Sequence, residues 1–167
     1  MSSPAHGFVR PGRFVELSEG GARITGTCKD GPDADLSAMV DMACAAGATS
    51  TVGLRVLAYG KYGFALFLSV RPLSEDTRLE SAGVYAVGSG GDMCFVDGEE
   101  RAFGPIDKAG EGAVISITFG GGADFTVSVN GGPKAVVCAL PAGELYVGAY
   151  IMKGASISIV SVEGSGA

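Results

Sequence analysis

Tryptophan is absent from this 167-residue chain, and histidine occurs once, as His6. A Ser-His-Asp constellation would need another imidazole, because His6 falls in a polar N-terminal stretch with Pro4, Gly7, Pro11 and Gly12. The missing tryptophan counts against sugar-cleaving sites, which hold their substrates on aromatic platforms. Basic residues are few: 12 Lys and Arg against 18 Asp and Glu, a net charge of −6. None forms a run, so the counterion release that drives nucleic-acid binding has no footing here. No stretch approaches the ~20 apolar residues that cross a bilayer, which excludes membrane insertion by a helix. The N-terminus has no apolar core of the kind a secretory signal carries.

The four cysteines, Cys28, Cys44, Cys94 and Cys138, lie far apart. None has the short spacing of a zinc knuckle or a redox CxxC. Each sits among small or apolar residues, the setting of a reduced, buried thiol. Reduced thiols and the lack of a signal make a cytoplasmic location the expectation.

Glycine, by contrast, is abundant. The 28 glycines are well above the usual share of about 7% and are dispersed without period, between short apolar runs. That pattern is one of many turns and many short strands. Phe14 to Leu17 and Ala22 to Cys28 read as a hairpin around Ser18 to Gly21. Thr51 to Leu57 is followed, after Tyr59-Gly60-Lys61-Tyr62-Gly63, by Phe64 to Val70, apolar on both faces and suited to a sheet packed on two sides. Val84 to Val87 and Met93 to Val96 flank Gly88 to Asp92 as another hairpin. Asp97 to Gly112 is charged and rich in turn residues and reads as a connection.

The clearest alternation follows. Ile115, Ile117 and Phe119 share one face against Ser116 and Thr118, and Phe125, Val127 and Val129 share one against Thr126 and Ser128. Asn130-Gly131 marks a tight turn, since both residues tolerate positive φ. Lys134 to Leu140, Leu145 to Tyr150 and Ala155 to Val162 complete the series. In the last, Val160 and Val162 change face relative to Ile157 and Ile159, which predicts a bulge or an end of pairing. Asp35 to Ala46 is ambiguous: Asp35 as a cap with Leu36, Met39, Val40 and Ala43 on one face gives a helix, and Ala38 to Cys44 also reads as a strand. Strands at near-regular spacing without intervening helices indicate an antiparallel sandwich or barrel.

The second half resembles the SPRY domain, the core of the B30.2 module. Gly110-Glu111-Gly112 runs into Ala113 to Ile117 like the family's glycine-acidic-glycine turn and strand. Phe125 to Gly131 is similar to its strand ending in Asn-Gly. Leu140-Pro141 with Leu145-Tyr146, and Gly154 to Ile159, are similar to the elements that follow, and Ser81 to Tyr85 to the tyrosine-bearing strand upstream. Order and spacing match over Phe14 to Val162. Gly53-Leu54-Arg55-Val56 stands where the family usually has an aromatic-glutamate pair, and Phe119-Gly120 where an aspartate is common. The resemblance implies an all-β fold: a bent antiparallel β-sandwich with concanavalin-like jelly-roll topology. It favours a strand for Asp35 to Ala46. It divides the chain into a flexible arm at 1–13, the sandwich at 14–162 and a tail at 163–167. It further implies a non-enzymatic protein-interaction role through loops at one rim, and nothing marks an appended RING or coiled-coil domain.

Candidate residues follow from this reading. Tyr59, Lys61 and Tyr62 form the leading binding loop, because tyrosine buries much area at low entropic cost; the alternative is that the tyrosines fold back to cap the core. Met93 and Phe95 form a second candidate, Tyr150 and Met152 a third. Cys28-Lys29 is the one cysteine with an adjacent positive charge. Glu99-Glu100 and Glu75-Asp76 are adjacent carboxylates, which on a strand point to opposite faces. Gly88 to Gly91 and Gly120 to Gly122 lack the Lys-Ser/Thr and helix of a phosphate loop. Asp30, Asp33 and Asp35 have calcium-like spacing without the terminal glutamate of an EF-hand, so no metal and no cofactor is expected. The function expected is a scaffold or peripheral structural subunit that binds a protein or peptide, the alternative being a carbohydrate-binding module on the same scaffold.

Overall fold

The structure is a computed structural model of the chain that describes residues 8–9, 15–18, 23–26, 37–44, 48–60, 63–72, 79–104, 106, 108–151 and 154–165. Among these residues there are fourteen strands and no helix. In chain order they are β1 (Phe8–Val9), β2 (Val15–Ser18), β3 (Arg23–Gly26), β4 (Ser37–Cys44), β5 (Thr49–Ala58), β6 (Phe64–Ser69) and β7 (Val84–Gly88). They continue with β8 (Met93–Val96), β9 (Glu99–Ala102), β10 (Val114–Gly120), β11 (Asp124–Val129), β12 (Ala135–Ala139), β13 (Leu145–Ile151) and β14 (Ser156–Ser165). They form two seven-stranded antiparallel sheets, one ordered β1-β4-β13-β6-β7-β8-β9 and the other β12-β11-β10-β5-β14-β3-β2.

The second sheet follows the alternation of its sequence. Ile115, Ile117 and Phe119 of β10 pair with Leu54, Val52 and Ser50 of β5, and the large side chains of this face are fully buried. Phe125 and Val127 of β11 and Ile157 of β14 extend the same inner layer. The other face carries Thr51, Arg55, Ser116, Thr118 and Thr126, with Thr51 and Thr118 hydroxyls hydrogen-bonded at 3.0 Å. A β-carbon at Gly53 would lie 2.5 Å from Ser161 Oγ, so a larger residue there would require that hydroxyl to move. Register shifts at Ser156/Ile157 and Ile159/Ser161 realise the change of face expected near Val160, which is left exposed.

In the first sheet all six residues of β6 are buried, as the two-sided apolar run required. Leu66 and Leu68 share one face with Val147 and Ala149 of β13, and Phe67 faces the other way with Ala86 and Phe95. Core residues also come from the connections: Leu79, Ala109, and the half-buried Phe103 and Ile106 packed against the same cluster. β6 is therefore covered on both sides, whereas β10 is covered on one.

Three expectations change or resolve. Ser37 to Cys44 is a strand, paired to β13 from Cys44 opposite Leu145 to Ser37 opposite Tyr150. Glu99–Ala102 lies in a stretch read as a connection, yet it is edge strand β9, paired to β8. The turn between them is Asp97-Gly98, both at positive φ (52° and 81°) as a two-residue hairpin requires. Finally, Phe8 and Val9, inside the expected N-terminal arm, pair with Val40 and Met39 of β4.

Candidate binding rim

Antiparallel order brings alternate connections to the same end of the sandwich. β5 ends and β6 begins there, with Ile151 at the end of β13 opposite Phe64. The β13–β14 turn adjoins this loop: a β-carbon on Gly154 would sit 3.5 Å from the Gly60 backbone. The β7–β8 turn is tied to it through Ser89. The Ser89 N–H donates to the Phe64 carbonyl at 2.8 Å, and its hydroxyl accepts from the Phe64 N–H at 3.0 Å. The Ser89 carbonyl in turn accepts from the Ala109 N–H at 2.8 Å, which fastens the β9–β10 connection. Ser89 is buried and hydrogen-bonded through three groups, so Gly88 to Gly91 is a structural hub of the rim.

Tyr59 lies across this hub. It is half-buried and packed against the core, and a β-carbon on Gly63 would fall 2.7 Å from its ring. The exposed Lys108 places its ammonium 4.0 Å from the ring centroid, a cation–π contact of about 0.5–1 kcal/mol at such a site. Tyr59 thus caps the core at the rim with a lysine over its ring. The arrangement brings together a half-buried aromatic ring and an exposed cation.

Of the other sequence-derived site residues, Lys61, Tyr62 and Met152 lie outside the described residues. Phe95 and Tyr150 are 3% and 8% exposed, so both are core side chains, a correction to their reading as contact residues. Their flanking turns suggested exposure, but strand parity points Phe95 to the face of Phe67, which the connections cover. Met93 is half-buried and packed against the core. Ser89 and Lys108 went unnoticed. The sequence signal for Ser89 was a serine among three glycines, and nothing local marked Lys108.

Other chemistry is thin among the described residues. No group of three or more His, Cys, Asp or Glu is placed to hold a metal. His6, Cys28-Lys29, Glu75-Asp76 and Asp30 to Asp35 lie outside them. Glu99 and Glu100 are exposed on β9 in opposite directions, and Glu99 accepts from Arg101 at 3.3 Å. Cys94 is buried and Cys138 half-buried, both free. Burial pushes the Cys138 thiol up to about 11, with Cys94 and Asp124 adding to the rise and Arg101 opposing it. Burial likewise raises Cys94 against the pull of Arg101. Neither is an activated nucleophile. At the opposite rim Asp97 accepts from the Gly83 N–H at 2.6 Å, and burial followed by the Asp97 charge raises the Tyr85 hydroxyl.

No protein-family model matches the sequence, and no curated protein does. Solved structures do. The SPRY domain of human HERC1 superimposes with a TM-score of 0.72 at 13% identity, covering 93% of this chain and 98% of that one. The PSpry domain of TRIM65 gives 0.71 at 14%, over 93% and 92%. A carbohydrate-binding module, CBM66 from Bacillus subtilis, gives 0.56 at 12%, over 96% and 95%. The chain has the SPRY-type β-sandwich fold, as the sequence resemblance implied.

Proposed function

We propose that this protein is a non-catalytic interaction module that binds a protein or peptide through the rim around Tyr59. The observation that carries the reading is the convergence at Ser89. Three connections that are distant in sequence are fastened there by hydrogen bonds of 2.8–3.0 Å, beneath an aromatic ring that carries an exposed lysine. A rigid platform of this kind presents contact groups at little ordering cost. The likeness to SPRY domains supports the same class of role, and the raised thiols and the isolated, exposed carboxylates of β9 give catalysis no support.

The test is a cross-linked capture from native extract, comparing wild type with Lys108→Glu and with Tyr59→Ala/Lys61→Ala/Tyr62→Ala. Loss of one specific protein from both folded variants supports the rim as the contact surface. An unchanged partner set moves the surface elsewhere on the sandwich.

A second reading, a carbohydrate-binding module, is favoured by one observation, the likeness to CBM66 over nearly the whole chain. A glycan array read with and without calcium discriminates the two, a specific glycan signal lost in the same variants being the result that would replace the protein reading.

A further inference from the structure

The free edges of the two sheets differ in how they are guarded. β9, at the edge of the first sheet, carries Glu99, Glu100 and Arg101, all exposed. Charges on an edge strand discourage another chain from pairing with it. The far edge of that sheet, β1, is two residues long. β12 has no such charge. Its residues are Ala135, Val136, Val137, Cys138 and Ala139, five in succession with no charged or proline residue, and among the described residues its only strand neighbour is β11. Val136 is 54% exposed, the most exposed of the large hydrophobic residues described. Within the strand, a register shift opposite Phe125/Thr126 interrupts its ladder.

Two opposite charges flank β12 on the same face. Val136 pairs with Thr126, and with Phe125 turned inward, Asp124, Thr126, Val136 and Lys134 fall on the outer face of the sheet. Asp124 pairs with Ala139 at the C-terminal end of β12, and Lys134 precedes its N-terminal end. Both are exposed, and neither makes a salt bridge among the described residues.

We propose that β12 is the docking edge for a second copy of this chain, joined by antiparallel β12–β12 pairing about a two-fold axis. Antiparallel pairing sets the N-terminal end of one β12 beside the C-terminal end of the other. Each Lys134 then approaches the other copy's Asp124, and symmetry repeats the contact. The two Val136 side chains meet near the axis on the same face. The edge is thus self-complementary in backbone, in apolar surface and in charge. The association is independent of the Tyr59 rim, and it would display two rims on one particle. A single shared ladder buries less than the roughly 1,200 Å² of a standard stable interface, so the dimer is a weak one seen at high concentration.

Sedimentation equilibrium over a concentration series tests this, with circular dichroism to show that each variant is folded. The expected wild-type mass rises from the 16.7 kDa of the chain toward twice that value. Val136→Lys, at a solvent-exposed position, keeps the fold and holds the protein monomeric. Lys134→Glu and Asp124→Lys each weaken association about tenfold, by replacing two attractions with two repulsions. The double exchange Lys134→Glu/Asp124→Lys restores it. A protein that is monomeric at every concentration overturns the proposal. So does a dimer indifferent to Val136→Lys, or a double exchange that restores nothing.

Discussion

In the first sheet every residue of β6 from Phe64 to Ser69 is buried, whereas β5 and β10 of the second alternate, with Val52, Leu54, Ile115 and Ile117 inside and Thr51, Arg55, Ser116 and Thr118 outside. The two sheets have the same number of strands and the same antiparallel pairing. The difference arises from the connections, which supply Leu79, Phe103, Ile106 and Ala109 to the core, the β9–β10 connection being fastened at Ala109 by Ser89. A sheet face with loops pinned over it becomes core, and a bare one becomes a hydroxyl-lined surface. Side chains on the loop-covered face should therefore behave energetically as interior residues.

The largest expected effect breaks that comparison if it fails. Phe67 is 1% exposed on the loop-covered face, and Phe67→Ala should destabilise by about 3–5 kcal/mol, read from urea unfolding. A loss under about 1 kcal/mol would mean that the connections do not pack there. Ser89→Ala should cost about 1–3 kcal/mol, because it strips the buried Phe64 N–H of its hydroxyl acceptor. Hydrogen exchange at the Phe64 and Ala109 amides should accelerate in the same variant, which separates loosening of the loops from general destabilisation.

The smallest effect concerns Cys138, on the inner side of β12. Its thiol is raised from an ordinary 9.0 to about 11, so the folded state keeps a proton that the unfolded chain releases. The stability this contributes is fully present below about pH 9 and is lost as pH rises through about 11. Cys138→Ala should flatten the fall in stability across that window. Alkylation of native Cys138 at pH 8 should run about a hundredfold slower than in the unfolded chain, in step with its thiolate fraction.

How much of this was legible depended on how local the signal was. β10 and β11 declared themselves by period-two alternation, and Asn130-Gly131 by turn chemistry, with both residues at positive φ and the Asn130 carboxamide oxygen accepting from the Val114 N–H at 2.9 Å. The bulge in β14 was visible as a slip in the same alternation. β9 was missed because an exposed edge strand of Glu-Glu-Arg buries nothing and so imposes no period; Asp97-Gly98 was the available clue. β4 was ambiguous because Leu36, Met39, Val40 and Ala43 satisfy helical spacing, and pairing with β13 resolved it. Tyr59 was singled out on composition, with its two readings left open. In the structure its ring packs against the core and carries Lys108.

Sequence by itself determined the all-β class, the strongly alternating strands and the positions of most turns, because these rest on steric preferences and periodicities within a few residues. Only the tertiary structure decided which apolar residues were interior on both faces, withdrew Phe95 and Tyr150 into the core, and brought Gly60, Ser89, Lys108 and Gly154 to one rim. The physical reason is that a strand's pattern encodes which sides are apolar. What covers each side is set by connections that fold back from far along the chain.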